Sequence, residues 1–84
     1  MDKLREEINN IDEQIMELLM NRLHLVNKIG KIKKKDNIPF LDEKREQYIY
    51  DKIQDGYLLD EHRNFITSVY REIINKSKEI QNDL

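Results

Sequence analysis

The sequence predicts an all-α fold of three helices, one long, one short and one medium, completed as a homodimer in which the long helices cross. Three observations carry that expectation. Leu4, Ile8, Ile11, Ile15, Leu18, Arg22, Leu25, Ile29 and Ile32 follow one another at 4-3-4-3 spacing, a helical stripe sustained over four heptads. A second column, Ile66, Tyr70, Ile73, Ser77, Ile80 and Leu84, repeats the spacing toward the C-terminus. Between the two columns, Pro39 and Gly56 mark the breaks.

The first helix is expected from about Asp2 to Asp36, with Asp2 as its N-cap and an acidic first turn. Asp36-Asn37-Ile38-Pro39 ends it, because proline cannot continue a helix and pushes the preceding residue out of the α region. Gly30 inside the helix costs about 1 kcal/mol relative to alanine, which predicts close packing there. Asp42 caps the second helix, which runs to about Asp55 before Gly56. The third begins at Asp60 or just after and continues to the C-terminal end.

The first helix outgrows the rest. At 1.5 Å per residue it is a rod of roughly 50 Å, whereas a compact chain of this length has a radius of gyration of about 12 Å. Two shorter helices cannot cover it. The open seam therefore calls for a second copy, and two-fold symmetry sets the N-terminal part of one long helix near the C-terminal part of its partner.

Bulk properties narrow the function. The 84 residues allow one domain, 1-84, with a thin core. Over a third of the residues are charged and the net charge is −2. That argues for a well-solvated surface and against a nucleic-acid binder. With no cysteine, disulfides and thiol chemistry are excluded. His24 and His62 match no zinc spacing, so neither a metal nor another cofactor is expected. No apolar run reaches membrane-spanning length, and the acidic N-terminus is not a targeting peptide. A soluble cytoplasmic protein is the default.

Polar residues interrupt the apolar columns. Arg22 stands where leucine or isoleucine would pack, and a buried guanidinium needs an acidic partner or an anionic ligand. Lys33 lies eleven residues on, close to three full turns, and so projects from nearly the same face about 16 Å away. Ser77 interrupts the third column, and Gln81 follows one turn later. Asp42, Arg45 and Glu46 open the second helix on the face that later carries Ile49 and Ile53. Each has an ordinary explanation alone. Arg22 could form a structural ion pair or snorkel. Lys33 could be one of the solvated cations that suit a helix C-terminus. Asp42 is an N-cap in any case, and Arg45 and Glu46 could be surface charges. Ser77 could be a small packing residue and Gln81 an exposed one. Together they suit a small, multiply anionic ligand held in a helical pocket. No serine–histidine–acid set, paired catalytic carboxylates or glycine-rich phosphate loop is evident. Any catalysis would work by electrostatics and positioning.

Read as an ordered pattern, the residues go further. Leu4-Arg5-Glu6, Ile11-Asp12, Leu18-Leu19-Met20-Asn21-Arg22, Ile29-Gly30-Lys31-Ile32-Lys33, Ile38-Pro39 and Asp42-Glu43-Lys44-Arg45-Glu46 resemble the all-helical type II chorismate mutases. Phe65-Ile66 through Ile74 to Ser77 and Gln81 resembles their C-terminal helix. The likeness covers nearly the whole chain and is weakest from Gly56 to Arg63. It implies an intertwined three-helix homodimer that rearranges chorismate to prephenate in phenylalanine and tyrosine biosynthesis. It further implies that Arg5, Arg22 and Arg45 bind the substrate carboxylates and that Ser77 contacts one. Lys33 and Gln81 would donate to the ether oxygen. Glu46 would hold the ring hydroxyl, with Asp42 contributing nearby through its backbone. Arg5 lies about 25 Å along the rod from Arg22, so the resemblance implies that it enters the partner's pocket. No matched position departs from the pattern. Two other functions stay open: isochorismate pyruvate lyase on the same scaffold, whose pattern lacks the acid at Glu46, and a non-catalytic helical dimerisation module.

Overall fold

The computed structural model describes all 84 residues, Met1–Leu84. It is all-helical: α1 spans Asp2–Lys35, α2 Glu43–Gly56 and α3 Asp60–Asn82. α3 packs against both other helices, while α1 and α2 do not pack on each other. The cleft of interest therefore opens where α3 bridges them.

The helix ends fall within two residues of those expected, α3 stopping at Asn82 short of the C-terminal end, and one cap differs. Met1, not Asp2, is the N-cap of α1, and no side chain caps that end. Arg5 N donates to Met1 O at 3.0 Å and closes the first helical turn. Asp2 thus falls inside the first turn, where its charge still favours the helix dipole. At the other end, Asp36 N donates to Ile32 O and Ile38 N to Lys33 O. Asn37 takes a left-handed conformation, φ 56°, which asparagine tolerates better than most residues. That turn swings the chain away ahead of Pro39. Asp42 caps α2 as expected, its Oδ1 accepting from Arg45 N at 3.0 Å. α2 includes Gly56 and ends in extended backbone at Tyr57.

The core is thin. Val26, Ile53 and Ile74 are its buried apolar residues, joined by Gly30 and Gln81. Gly30 packs tightly against Gln81 of α3 and against Leu84 beyond it. A Cβ there would lie 2.6 Å from Leu84 Cδ1 and 3.0 Å from Gln81 Cγ, so the expected close packing is present.

The N-terminal half of α1 packs on nothing. Leu4, Ile8, Ile11 and Ile15 are 48–59% exposed although they form one continuous apolar stripe. The chain measures 51 × 26 × 15 Å with a radius of gyration of 15.6 Å, well above the roughly 12 Å of a compact fold this long. No helix is long and apolar enough to cross a membrane.

Candidate active site

Helical periodicity brings most of the singled-out polar residues to one place. Arg22 and Lys33 project from α1, Asp42, Arg45 and Glu46 from the start of α2, and Ser77 and Gln81 from α3. All seven line a cleft of ≈ 380 Å³, whose apolar walls include Val26, Ile29, Ile49 and Ile74. A second cleft of ≈ 430 Å³ shares Arg22 and Arg45 but is otherwise lined mainly by tyrosine and isoleucine between α2 and α3. It is slightly larger, yet it lacks Lys33, Glu46, Ser77 and Gln81. The candidate site is the cleft where the polar groups converge.

Arg22 is half-buried and forms no ion pair. Its Nη1 donates to Ser77 Oγ at 2.5 Å, and Ser77 Oγ donates to Ile73 O at 2.8 Å. A guanidinium carries five N–H donors, so most remain available. The structural ion pair considered for Arg22 does not form.

Lys33 is half-buried, whereas Lys31, Lys34 and Lys35 are exposed. Its Nζ donates to Phe40 O at 3.4 Å, a long contact that leaves the ammonium free to turn. Register separates it from its neighbours, because only Lys33 shares the face of Arg22.

Gln81 is buried, at 8% exposure, rather than frayed at a terminus. Its Nε2 donates to Val26 O at 3.2 Å. A carbonyl can only accept, so this bond fixes which way the amide faces and leaves one N–H unused. Arg45 is exposed and its guanidinium lies over the Tyr48 ring, 5.0 Å from the centroid, a cation–π arrangement. Asp42 uses its carboxylate as the α2 cap.

Arg5 stands apart. It is exposed and lines neither cleft of its own chain. One residue of the site had gone unnoticed in the sequence. Lys78 lines the cleft, and its Nζ stands 2.5 Å from Glu46 Oε1. A signal was present: Lys78 lies one turn after Ile74 and three residues before Gln81, on the face that both share.

The chain matches the family model for chorismate mutase type II over residues 4–82. It is 33% identical over 82 residues to the chorismate mutase of Methanocaldococcus jannaschii, covering 94% of this chain and 81% of that protein. It is also 38% identical over 79 residues to the bifunctional chorismate mutase/prephenate dehydratase of Aquifex aeolicus, covering 89% of this chain and 22% of that one. The protein of the same description from Buchnera aphidicola (subsp. Schizaphis graminum) is 39% identical over 74 residues, 87% of this chain and 19% of the relative. The chain thus spans about a fifth of the length of these two bifunctional relatives. No solved structure gives a significant match. A three-helix, all-α chain with a polar cleft between its helices is the class that fold and cleft define. Within it, the chain belongs to the type II chorismate mutase family.

Proposed function

We propose that this chain is a chorismate mutase, acting as an intertwined cytoplasmic homodimer in phenylalanine and tyrosine biosynthesis. One observation carries the reading. In a chain of this family, Arg22, Lys33, Arg45, Glu46, Ser77 and Gln81 line a single cleft, and none of the three cations is matched there by an ion pair.

The rearrangement is unimolecular and needs neither a nucleophile nor a proton transfer. In the transition state the breaking C–O bond places negative charge on the ether oxygen. The Lys33 ammonium and the free Gln81 N–H stabilise that charge more than they stabilise the ground state. Arg22 and Arg45 hold the carboxylates, Arg22 steadied by Ser77, so that the flexible enolpyruvyl arm stays in its reactive chair-like conformer. Glu46 accepts from the ring hydroxyl beside the Asp42-capped start of α2.

A second copy completes the site. The exposed stripe of Leu4, Ile8, Ile11 and Ile15 supports pairing of long helices across a two-fold axis. That pairing carries Arg5 into the partner's cleft as a further carboxylate ligand.

The test follows loss of the chorismate diene spectroscopically, beside a measurement of mass in solution. Turnover by a dimer is expected. Lys33→Ala should lower kcat by two to three orders of magnitude, the usual effect of removing a transition-state donor worth about 3 kcal/mol. Pyruvate release from isochorismate, with chorismate untouched, would reassign the chain as a lyase. A dimer inert toward both, or turnover indifferent to Lys33, would leave only a dimerisation module.

A further inference from the structure

Lys78 is the one charged residue of the cleft that this mechanism leaves without a part. Its contact with Glu46 is the only ion pair that joins two helices, since the other three all lie within α3. Both partners are partly withdrawn from solvent, with side chains 36% and 23% exposed. Glu46 Oε1 is itself buried and takes no hydrogen bond. The lysine therefore meets it as a charge, without hydrogen-bond geometry. A carboxylate oxygen in that position needs a counter-charge, and no other cation comes within ion-pairing distance of it.

The charge balance of the cleft points the same way. Among the charges that line the cleft, Asp42 caps α2 and Glu46 is met by Lys78, so Arg22, Lys33 and Arg45 are left unpaired toward a ligand. Without Lys78, one negative charge inside an anion-binding cleft would go unanswered and would repel the ligand.

We propose that Lys78 is a positioning residue. It neutralises Glu46 and holds one of its oxygens, so that the other is presented to the ring hydroxyl of the substrate. Lys78 thereby sets selectivity for a hydroxylated ring without touching the reacting atoms. This role rests on the function proposed above.

The experiment compares two competitive inhibitors of this 84-residue chain. Both are cyclic diacids, one bearing the ring hydroxyl and one lacking it. Lys78→Met should weaken the hydroxylated diacid about tenfold, the order expected for a misplaced hydrogen bond to a charged group, and leave the deoxy diacid nearly unaffected. Its KM for chorismate should rise more than its kcat falls. Lys78→Arg, which keeps the charge, should restore both properties. In a Glu46→Gln background, Lys78→Met should no longer change the ratio of the two inhibition constants. Equal weakening of both diacids would mean that Lys78 acts on the carboxylates directly, and would overturn the proposal. So would no change in either, or a loss that only follows a lowered Tm and that Lys78→Arg does not restore. If the wild-type protein does not turn over chorismate, the proposed function falls and this role falls with it. Wild-type turnover with an unselective Lys78→Met defeat only the role of Lys78.

Discussion

Arg22 of α1 reaches across to α3 and donates to Ser77 Oγ at 2.5 Å, while Ser77 donates its own proton to Ile73 O at 2.8 Å. A hydroxyl has one donor and two lone pairs. With the donor bound to the α3 backbone, the oxygen can only accept from the guanidinium. The serine thus aims the arginine without neutralising it, which a carboxylate in its place would do. This suits a residue whose charge is meant for a ligand.

The two residues should therefore differ sharply on substitution. Arg22→Ala removes the charge and should lower kcat/KM by two to three orders of magnitude. Arg22→Lys should recover little, because an ammonium lacks the planar fork that grips a carboxylate while bonding elsewhere. Ser77→Ala leaves the charge and loses only its aim, so about tenfold is expected. Steady-state kinetics on the three variants checks the order, and Ser77→Ala as damaging as Arg22→Ala would refute it.

The same pair marks how far the sequence could be read. Column spacing exposed Arg22 and Ser77 as misfits, because helical periodicity is local and survives in the letters. It could not tell that the two misfits satisfy each other across 55 residues, which only packing decides. Lys33 was separable from Lys31, Lys34 and Lys35 for the same local reason, its register with Arg22. The burial of Gln81 was not legible, since a glutamine one residue from the end of a polar helix has no reason in sequence to be covered. It is covered because Gly30 lets α3 approach α1. Lys78 escaped notice because a lysine beside a polar face looks like solvated surface until its carboxylate is located on another helix. The capping expected of Asp2 does not occur because Asp2 already lies inside the helix: Met1 O accepts the first helical bond, from Arg5 N.

Gly30 offers a clean separation of stability from positioning. Alanine there gains about 1 kcal/mol of helix propensity, but its Cβ would meet Leu84 Cδ1 at 2.6 Å and Gln81 Cγ at 3.0 Å. Leu84 can turn aside, since the contact is the far end of a flexible side chain. Gln81 cannot yield without moving its amide off Val26 O. Gly30→Ala should leave Tm within a few degrees of wild type and lower kcat at least tenfold, as misplacement of a catalytic group by a fraction of an ångström does. Paired thermal melts and kinetics decide, and an unchanged kcat would show that the amide needs no such placement.

Gln81 itself predicts a pH signature. The amide donates at every pH, so no acid is required at that position. In Gln81→Glu the side chain can donate only when protonated. Glutamate ordinarily titrates near 4.3, and in the variant burial opposite the Val26 carbonyl would push that value upward by disfavouring the charged form. The protonated fraction grows as pH falls, so the variant should be weak at pH 8 and gain activity toward pH 5. A pH–rate profile of kcat makes the comparison, and a variant profile that tracks wild type would remove Gln81 from the ether oxygen.

Arg5 tests the dimer and the shared site at once. Its side chain is exposed and far from its own cleft, so any catalytic part must be played in the partner. Arg5→Ala and Lys33→Ala should each be nearly inactive as pure homodimers. Refolded together in equal amounts, half of the dimers pair one of each chain. In such a dimer the Arg5→Ala chain keeps its own Lys33 and receives Arg5 from its partner, which makes one intact site. The other site lacks both groups. Mixing should therefore restore about a quarter of wild-type activity per site, as the two-fold exchange requires. If Arg5 served its own chain, both mixed sites would stay damaged and mixing would restore nothing. A companion substitution addresses the stripe that brings the arginine across. Ile11→Glu places a charge amid Leu4, Ile8 and Ile15, already 48–59% exposed in the single chain. It should cost the lone chain little and the assembly a great deal. Light scattering should then report a monomer, and complementation with Lys33→Ala should disappear.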